Sequence, residues 1–284
     1  MSFSSEIKNK LCSQPLSCPA CAAAEAAGML CTGGMISTGA IRFTTENSDV
    51  SDRLRSDMEE AFGINIEFSS GTRNHSMIID NMFETENIIY RLTGDVTPLE
   101  CCENSYIRGA FLGCGSVSDP NSGYHLEFAS KNRSEAVFLQ KLLNKKGFSA
   151  KETSRKNYTV IYLKGYEQIA DLLGLLGGMS GAFELFDIQI EKDMRNSINR
   201  RVNCENANAN KAAKASSVHL HAINKIKALK KWESLPDTLK EIGELRSEFP
   251  EESLKELGER CNPPIGKSGV NHRLNRIKAF ADNL

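Results

Sequence analysis

A chain of 284 residues, 40% hydrophobic and 25% charged, has the composition of a folded globular protein and is long enough for two or three domains. Its formal net charge of −1 excludes a globally basic chain. No apolar run approaches the roughly 20 residues that cross a bilayer, so no membrane role is expected. The opening stretch Ser2–Lys8 lacks the apolar centre of a signal peptide, and the cytosol is the expected compartment.

In chain order, an Ala-rich helix is predicted from Cys21 to Gly33. Strands follow at Met35-Ile36 and Ala40–Thr44, turned at Ser37-Thr38-Gly39. An amphipathic helix runs from Asp49 to Phe62 with Val50, Leu54, Met58 and Ala61 on one face. A hairpin of Ile64, Ile66 and Phe68 against Met77-Ile78-Ile79 precedes a short helix, Glu84 to Leu92. The same order then recurs after about 80 residues. It comprises a small-residue helix from Ser105 to Gly113 and a hairpin over Ser116–Ala129 turned at residues 119–123. Next come a helix over Ser134–Lys146 with Val137, Phe138, Leu142 and Leu143 inward, a strand pair from Phe148 and Tyr158–Leu163, and a closing helix from Gln168 to Leu176. The pattern is αββαββα, twice.

Gly177-Gly178-Met179-Ser180-Gly181 breaks that pattern, and beyond Ile198 the chain reads as wholly helical. Asn203–Trp232 contains no proline or glycine and predicts one long helix with an apolar stripe of Val218, Ile223, Ile226 and Leu229. Pro236 and Asp237 start the next helix through Leu239, Ile242 and Leu245. Charge is divided unevenly: from Glu191 onward there are 18 Lys/Arg against 13 Asp/Glu, about +5, leaving about −6 in front. A basic final third on an acidic body fits a nucleic-acid-binding module.

Nine cysteines, an odd number set in apolar stretches, argue against a disulfide framework. Cys18-Pro19-Ala20-Cys21 has the spacing of half a zinc knuckle, with Cys12 and Cys31 nearby. No second Cys-x-x-Cys pair exists, however, and Cys31 falls inside a predicted helix. Reduced thiols, with no metal and no cofactor, are expected.

The segments Ala26–Gly34 and Ile107–Gly115 superpose, each placing small residues at helical spacing so that two backbones can approach closely. Two such helices, each opening an αββαββα unit, resemble the LAGLIDADG homing-endonuclease scaffold. The resemblance implies an acidic metal ligand at the end of each helix. Gly33 and Cys114 match those positions and supply no carboxylate, while Asp119 sits in a turn that uses it locally. A scaffold without nuclease activity, and no enzyme, is expected.

At the C-terminus, Ser253–Glu259 forms a short helix with Leu254 and Leu257 facing one way. Cys261–Gly266, with two prolines, cannot continue it, and a second helix begins at Lys267-Ser268, with Ser268 as its expected N-cap. In that helix Val270, Leu274 and Ile277 form the inner stripe. Ser268, His272, Asn275 and Arg276, flanked by Asn271 and Arg273, face out. Arg suits guanine, Asn suits adenine, and Lys267 or Lys278 suits phosphate. This is the pattern of a helix-turn-helix, and a solvated helix of a small bundle is the plainer alternative. For Arg200-Arg201 two readings stand: a phosphate clamp, or an ion pair with Glu191, Asp193 or Glu205.

Asn199–Asn208, Tyr106–Val117 and Ser253–Leu274, with Phe3–Lys8 and Phe43–Asn47, resemble the WhiA family of bacterial sporulation and cell-division regulators. The resemblance runs end to end and departs at the Ala- and Ser-rich stretch 212–217. It implies a transcription regulator linked to sporulation, division and chromosome segregation, associated with the nucleoid, binding double-stranded DNA at promoters through about 252–284. The acidic front part would suit a further protein partner, a sigma factor or second regulator; an interaction scaffold tethered to the nucleoid is the alternative. The expected fold class is α+β: a tandem αββαββα LAGLIDADG-like N-terminal domain followed by an all-α helix-turn-helix domain. Its expected parts are an N-terminal segment 1–19, repeats at 20–95 and 96–180, a linker at 181–202 and a helical domain at 203–284.

Overall fold

The computed structural model of the protein describes residues 2–37, 39–93 and 100–284. Thr38 in the first expected turn and the expected border between repeats at 95/96 lie outside them. The chain divides into two compact units, Met1–Lys192 and Asp193–Leu284.

The first unit opens with helix α1, Phe3–Cys12, capped by the Ser2 hydroxyl, which accepts a hydrogen bond from the Ser5 amide. Helix α2, Pro19–Gly28, starts with proline in its first turn and passes into a single π-helical turn, Met29–Gly33. Then come strands β1 (Met35–Ser37) and β2 (Ala40–Thr45), helix α3 (Ser48–Phe62), strands β3 (Ser69–Ser70) and β4 (His75–Ile79), and helix α4 (Met82–Thr93). The second repeat follows the same order: α5 (Glu100–Cys114), β5 (Gly115–Val117), β6 (His125–Ser130), α6 (Arg133–Lys145), β7 (Lys151–Arg155), β8 (Tyr158–Lys164) and α7 (Tyr166–Leu175). The two four-stranded antiparallel sheets have matching orders, β1-β2-β4-β3 and β5-β6-β8-β7. One hydrophobic core serves both repeats, with Phe43, Leu54 and Met58 from the first and Phe111, Phe128 and Leu143 from the second.

The α2–α5 pair holds the repeats together at backbone distance. A Cβ on Gly109 would lie 1.9 Å from the Glu25 carbonyl oxygen, and one on Gly28 would lie 2.1 Å from that of Tyr106. Gly33 and Gly113 face each other one turn further on, where a Cβ on Gly33 would meet the Gly113 carbonyl at 2.6 Å. Beside this contact the buried Glu25 carboxylate accepts hydrogen bonds from Arg108 Nε of α5 and Arg53 Nε of α3, each at 2.7 Å. Arg53 also donates to the carbonyls of Gln14 and Cys12 at 2.9 and 3.3 Å, tying in the segment before α2.

Several details differ from the sequence expectation. Ile64–Phe68 is not a strand: Ile66 is buried, but only Ser69–Ser70 joins the ladder with β4. Phe148 lies outside the second hairpin, whose outer strand is the polar Lys151–Arg155. An edge strand needs no inward apolar residues, and its charges discourage pairing with other chains. Phe138 is exposed and packs edge-on against the Tyr106 ring at 5.3 Å, while Ala136 and Leu139 take the inward positions of α6. Helix α8 runs unbroken from Met179 to Ala228, so the expected linker 181–202 is helical throughout. Gly177, with φ +95°, ends α7 just before it.

Asp57 is buried on α3, 3.2 Å from Arg53 Nε, yet neither of its carboxylate oxygens has a hydrogen-bond partner among the described residues. Burial, together with the nearby Glu25, outweighs Arg53 and pushes its carboxyl up to about 8. The folded chain thus holds a proton that the unfolded chain releases near pH 4, and its stability falls as pH rises from about 4 through about 8. Denaturant melts should show this decline in the wild type and its absence in Asp57→Asn. Gly109→Ala should cost about 3 kcal/mol by chemical denaturation, because the added methyl meets backbone that cannot yield. The helical control Gly174→Ala meets only the flexible Met179 side chain, at 3.4 Å, and should be neutral or stabilising.

Candidate nucleic-acid interface

In the second unit the end of α8 packs with α9 (Asp237–Glu248), α10 (Leu254–Arg260) and α11 (Lys267–Asp282). Ile223, Ile226, Leu239, Ile242, Leu257, Val270, Leu274 and Ile277 form its core. Within the second unit the buried positions of α8 are Ser216, His219, Ala222, Ile223 and Ile226. Val218 and Leu229, expected in the stripe, are exposed: Val218 lies roughly 100° around the helix from the centre of the buried side, and Leu229 lies just past the helix end at Ala228.

Local chemistry builds the two-helix motif. Ser253 and Glu256 form a reciprocal capping box at the start of α10: the Ser253 hydroxyl accepts from the Glu256 amide, and the Glu256 carboxylate from the Ser253 amide. The loop before α10 is held by buried Arg246, which donates to the carbonyls of Glu252 (2.8 Å), Pro250 (3.2 Å) and Phe249 (3.4 Å). After α10 the chain folds back so that the Ile265 amide donates to the Gly258 carbonyl at 2.9 Å. A Cβ on Gly258 would lie 2.2 Å from the Ile265 carbonyl oxygen, so the turn closes only over glycine.

Helix α11 buries Val270, Leu274, Ile277 and Ala281. Its opposite side exposes Lys267, Ser268, Asn271, His272, Asn275, Arg276 and Lys278, and none of these is held in an ion pair or side-chain hydrogen bond among the described residues. Ser268 is not the cap. Gly266 occupies the N-cap position without a side-chain bond, and Ser268 lies in the first turn. Arg273 is set apart from its neighbours: half-buried, it pairs with Glu241 of α9 at 3.4 Å and so braces α11 against the core. On α8, Arg200 and Arg201 are both exposed, and Arg201 pairs with Glu205 at 3.1 Å.

In the first unit, Gly33 lies against the Gly113 backbone, while Gly34 and Cys114 each directly precede the first strand of their repeat. The π turn accounts for the extra residue in the first helix. None of these four residues bears a carboxylate. The Cys114 thiol donates to Thr32 Oγ1 at 3.3 Å, and burial pushes it up to about 11, so it stays neutral at physiological pH. On the outer face of the second sheet, Arg155 and His125 both turn onto Glu127, at 3.3 and 3.0 Å. One cluster escaped the sequence reading: Cys18, Cys21, Cys101 and Cys102 converge at the N-terminal ends of α2 and α5. The Cys18-x-x-Cys21 spacing signals one half of it; the other half is the Cys101-Cys102 doublet, 80 residues beyond Cys21.

A tandem αββαββα body with glycine-faced helices, followed by a helix-turn-helix unit, defines a LAGLIDADG-type scaffold joined to a helix-turn-helix module. Residues 103–195 match the WhiA LAGLIDADG-like domain and residues 198–281 the WhiA C-terminal HTH domain. The probable cell division protein WhiA of Alkaliphilus metalliredigens is 38% identical over an alignment 311 positions long, covering 99% of this chain and 98% of that protein. The protein of the same name from Clostridium botulinum strain Hall is 38% identical over 312, covering 100% and 99%. The chain belongs to the WhiA family. Full-length WhiA from Thermotoga maritima matches with a TM-score of 0.64 at 25% identity, over 100% of this chain and 99% of that one. A crystallised N-terminal LAGLIDADG domain of WhiA matches with a TM-score of 0.51 at 20% identity, over 62% of this chain and 90% of that one, and shows the fold of the first unit.

Because Gly258 is enclosed by backbone and by Val270, Gly258→Ala should lower the melting temperature of the chain by several degrees, corresponding to about 2 kcal/mol. Gly269→Ala, inside α11, where a Cβ makes only ordinary contact with the Ile265 side chain at 3.6 Å, serves as the control and should be neutral or stabilising.

Proposed function

We propose that this chain is a sequence-specific DNA-binding regulator that acts at promoters in cell division, chromosome segregation and, in sporulating hosts, sporulation. Helix α11 reads the duplex. One observation carries the proposal: α11 is anchored by an apolar face and presents an uncommitted row of Lys, Ser, Asn, His and Arg on the other. Asn and Arg offer paired contacts to base edges in the major groove, while Lys267 and Lys278 are placed for phosphates. The role in division is supported by the name that curated relatives carry, probable cell division protein, at 38% identity over nearly their whole length. Residence on the nucleoid follows from binding DNA.

The LAGLIDADG-like body is proposed to act without nuclease chemistry. Glycine and a neutral thiol stand where its two central helices meet their strands, and neither offers the hard oxygen ligands that Mg²⁺ requires.

Chromatin immunoprecipitation with sequencing, comparing wild type with an Asn275→Ala/Arg276→Ala variant, tests the proposal. Sharp promoter peaks in the wild type should vanish in the variant, whose exposed substitutions leave the core intact. In vitro, Lys278→Ala should weaken binding to all sequences alike and reduce the salt slope by about 1. Promoter peaks that persist in the double variant would move recognition away from α11.

A further inference from the structure

Four of the nine cysteines form a site of their own. Cys18 is the residue immediately before α2, and Cys21 lies in its first turn. Cys101 and Cys102 lie in the first turn of α5. Cys18 Sγ stands 3.4 Å from Cys21 Sγ, 3.8 Å from Cys101 Sγ and 4.0 Å from Cys102 Sγ, and all four sulfurs lie within 4.8 Å of one another. Among the described residues this is the only convergence of three or more Cys, His, Asp or Glu side chains that could hold a metal ion.

The three distances from Cys18 Sγ lie close to the edges of a tetrahedral metal site, and no sulfur pair is further apart than 4.8 Å. With Zn–S bonds of about 2.3 Å, a tetrahedral four-thiolate site has sulfur–sulfur edges of roughly 3.8 Å. Simple packing of thiols gives no reason for four to meet at one point from chain positions 80 residues apart. Two helices, α2 and α5, also present their positive N-terminal ends to the cluster. Cys21 and Cys102 are buried, while Cys18 and Cys101 are half-buried, so an ion can enter from one side.

We propose that Cys18, Cys21, Cys101 and Cys102 bind one zinc ion. Zn²⁺ displaces four thiol protons to the solvent and is held by four thiolates, leaving no open coordination position for substrate or water. The site is therefore structural. It clamps together the N-terminal ends of the same two helices that touch through Gly28 and Gly109, and so cross-links the two repeats. The Cys18–Cys21 pair is a half-site whose partner the sequence hides, because Cys101-Cys102 lacks the two-residue spacer and lies in the other repeat. This assignment replaces the expectation of no metal.

The full chain, purified under reducing conditions, is measured for metal by plasma emission spectrometry and for Co²⁺ binding by absorption. About one zinc per chain is expected, with a tetrahedral thiolate spectrum on Co²⁺ substitution and a melting temperature that falls on chelation. Cys18→Ser and Cys102→Ser should lose stoichiometric zinc and the response to chelator, whereas Cys31→Ser and Cys204→Ser should keep both. Should the Ser variants fail to fold, as read by circular dichroism, the wild-type Co²⁺ spectrum and its competition by zinc still decide the matter. Reduced wild type that binds neither metal overturns the proposal. So does a native disulfide within the cluster, found by mass spectrometry of protein alkylated before reduction, or zinc retained by the folded Cys18→Ser and Cys102→Ser variants.

Discussion

The first unit depends on the contact between two helix backbones. At Gly28, Gly109, Gly33 and Gly113 the helices α2 and α5 meet without side chains between them, and every other element of the two repeats is hung from that seam. So close an approach forfeits the side-chain burial that usually holds helices together. What replaces it is continuous backbone contact, flanked by Met29 and Leu30 on one side and Phe111 and Leu112 on the other. At the same place Glu25 makes the seam specific. Its carbonyl lies against Gly109, and its carboxylate is shared by Arg53 and Arg108 from different helices. A buried carboxylate costs several kcal/mol unless its oxygens are satisfied, so a sliding of one helix along the other would strand it. Ion pairing of this kind selects one register more than it adds stability.

The second unit solves a smaller problem with local means. A capping box starts α10, a guanidinium gathers three carbonyls of the loop ahead of it, and a glycine lets the following turn fold back. Each interaction spans few residues, and together they fix which face of α11 is buried. The outward face is then decided by exclusion. Val270, Leu274 and Ile277 commit one side to the core, and the polar residues between them have only the solvent, or a ligand, to face. Arg273 shows how finely this divides neighbours, since it alone of the basic residues on α11 turns back to an acid on α9.

Much of this was legible in the linear order. The repeated αββαββα pattern, the paired small-residue helices and the apolar stripe of α11 follow from periodicity and from residues whose size or backbone freedom restricts them to few places. The failures have physical causes. The Lys151–Arg155 strand is an edge with no apolar residue to announce it. Phe138 satisfies its ring on Tyr106 at the surface and not in the core. Helix α8 begins as early as Met179, because a glycine at Gly181 weakens helix propensity without forbidding it.

By itself, then, the sequence determined the element order, the duplication, the near-absence of side chains on the helix seam and the polar composition of the outer face of α11. All are properties of spacing within one segment. Only the tertiary structure decided that Glu25 serves two arginines, that Arg273 is a brace, that Gly33 faces Gly113, and that four cysteines from two repeats share one point. These depend on which turn of one helix meets which turn of another. That register is set by the summed packing of both repeats and is written in no single stretch of chain.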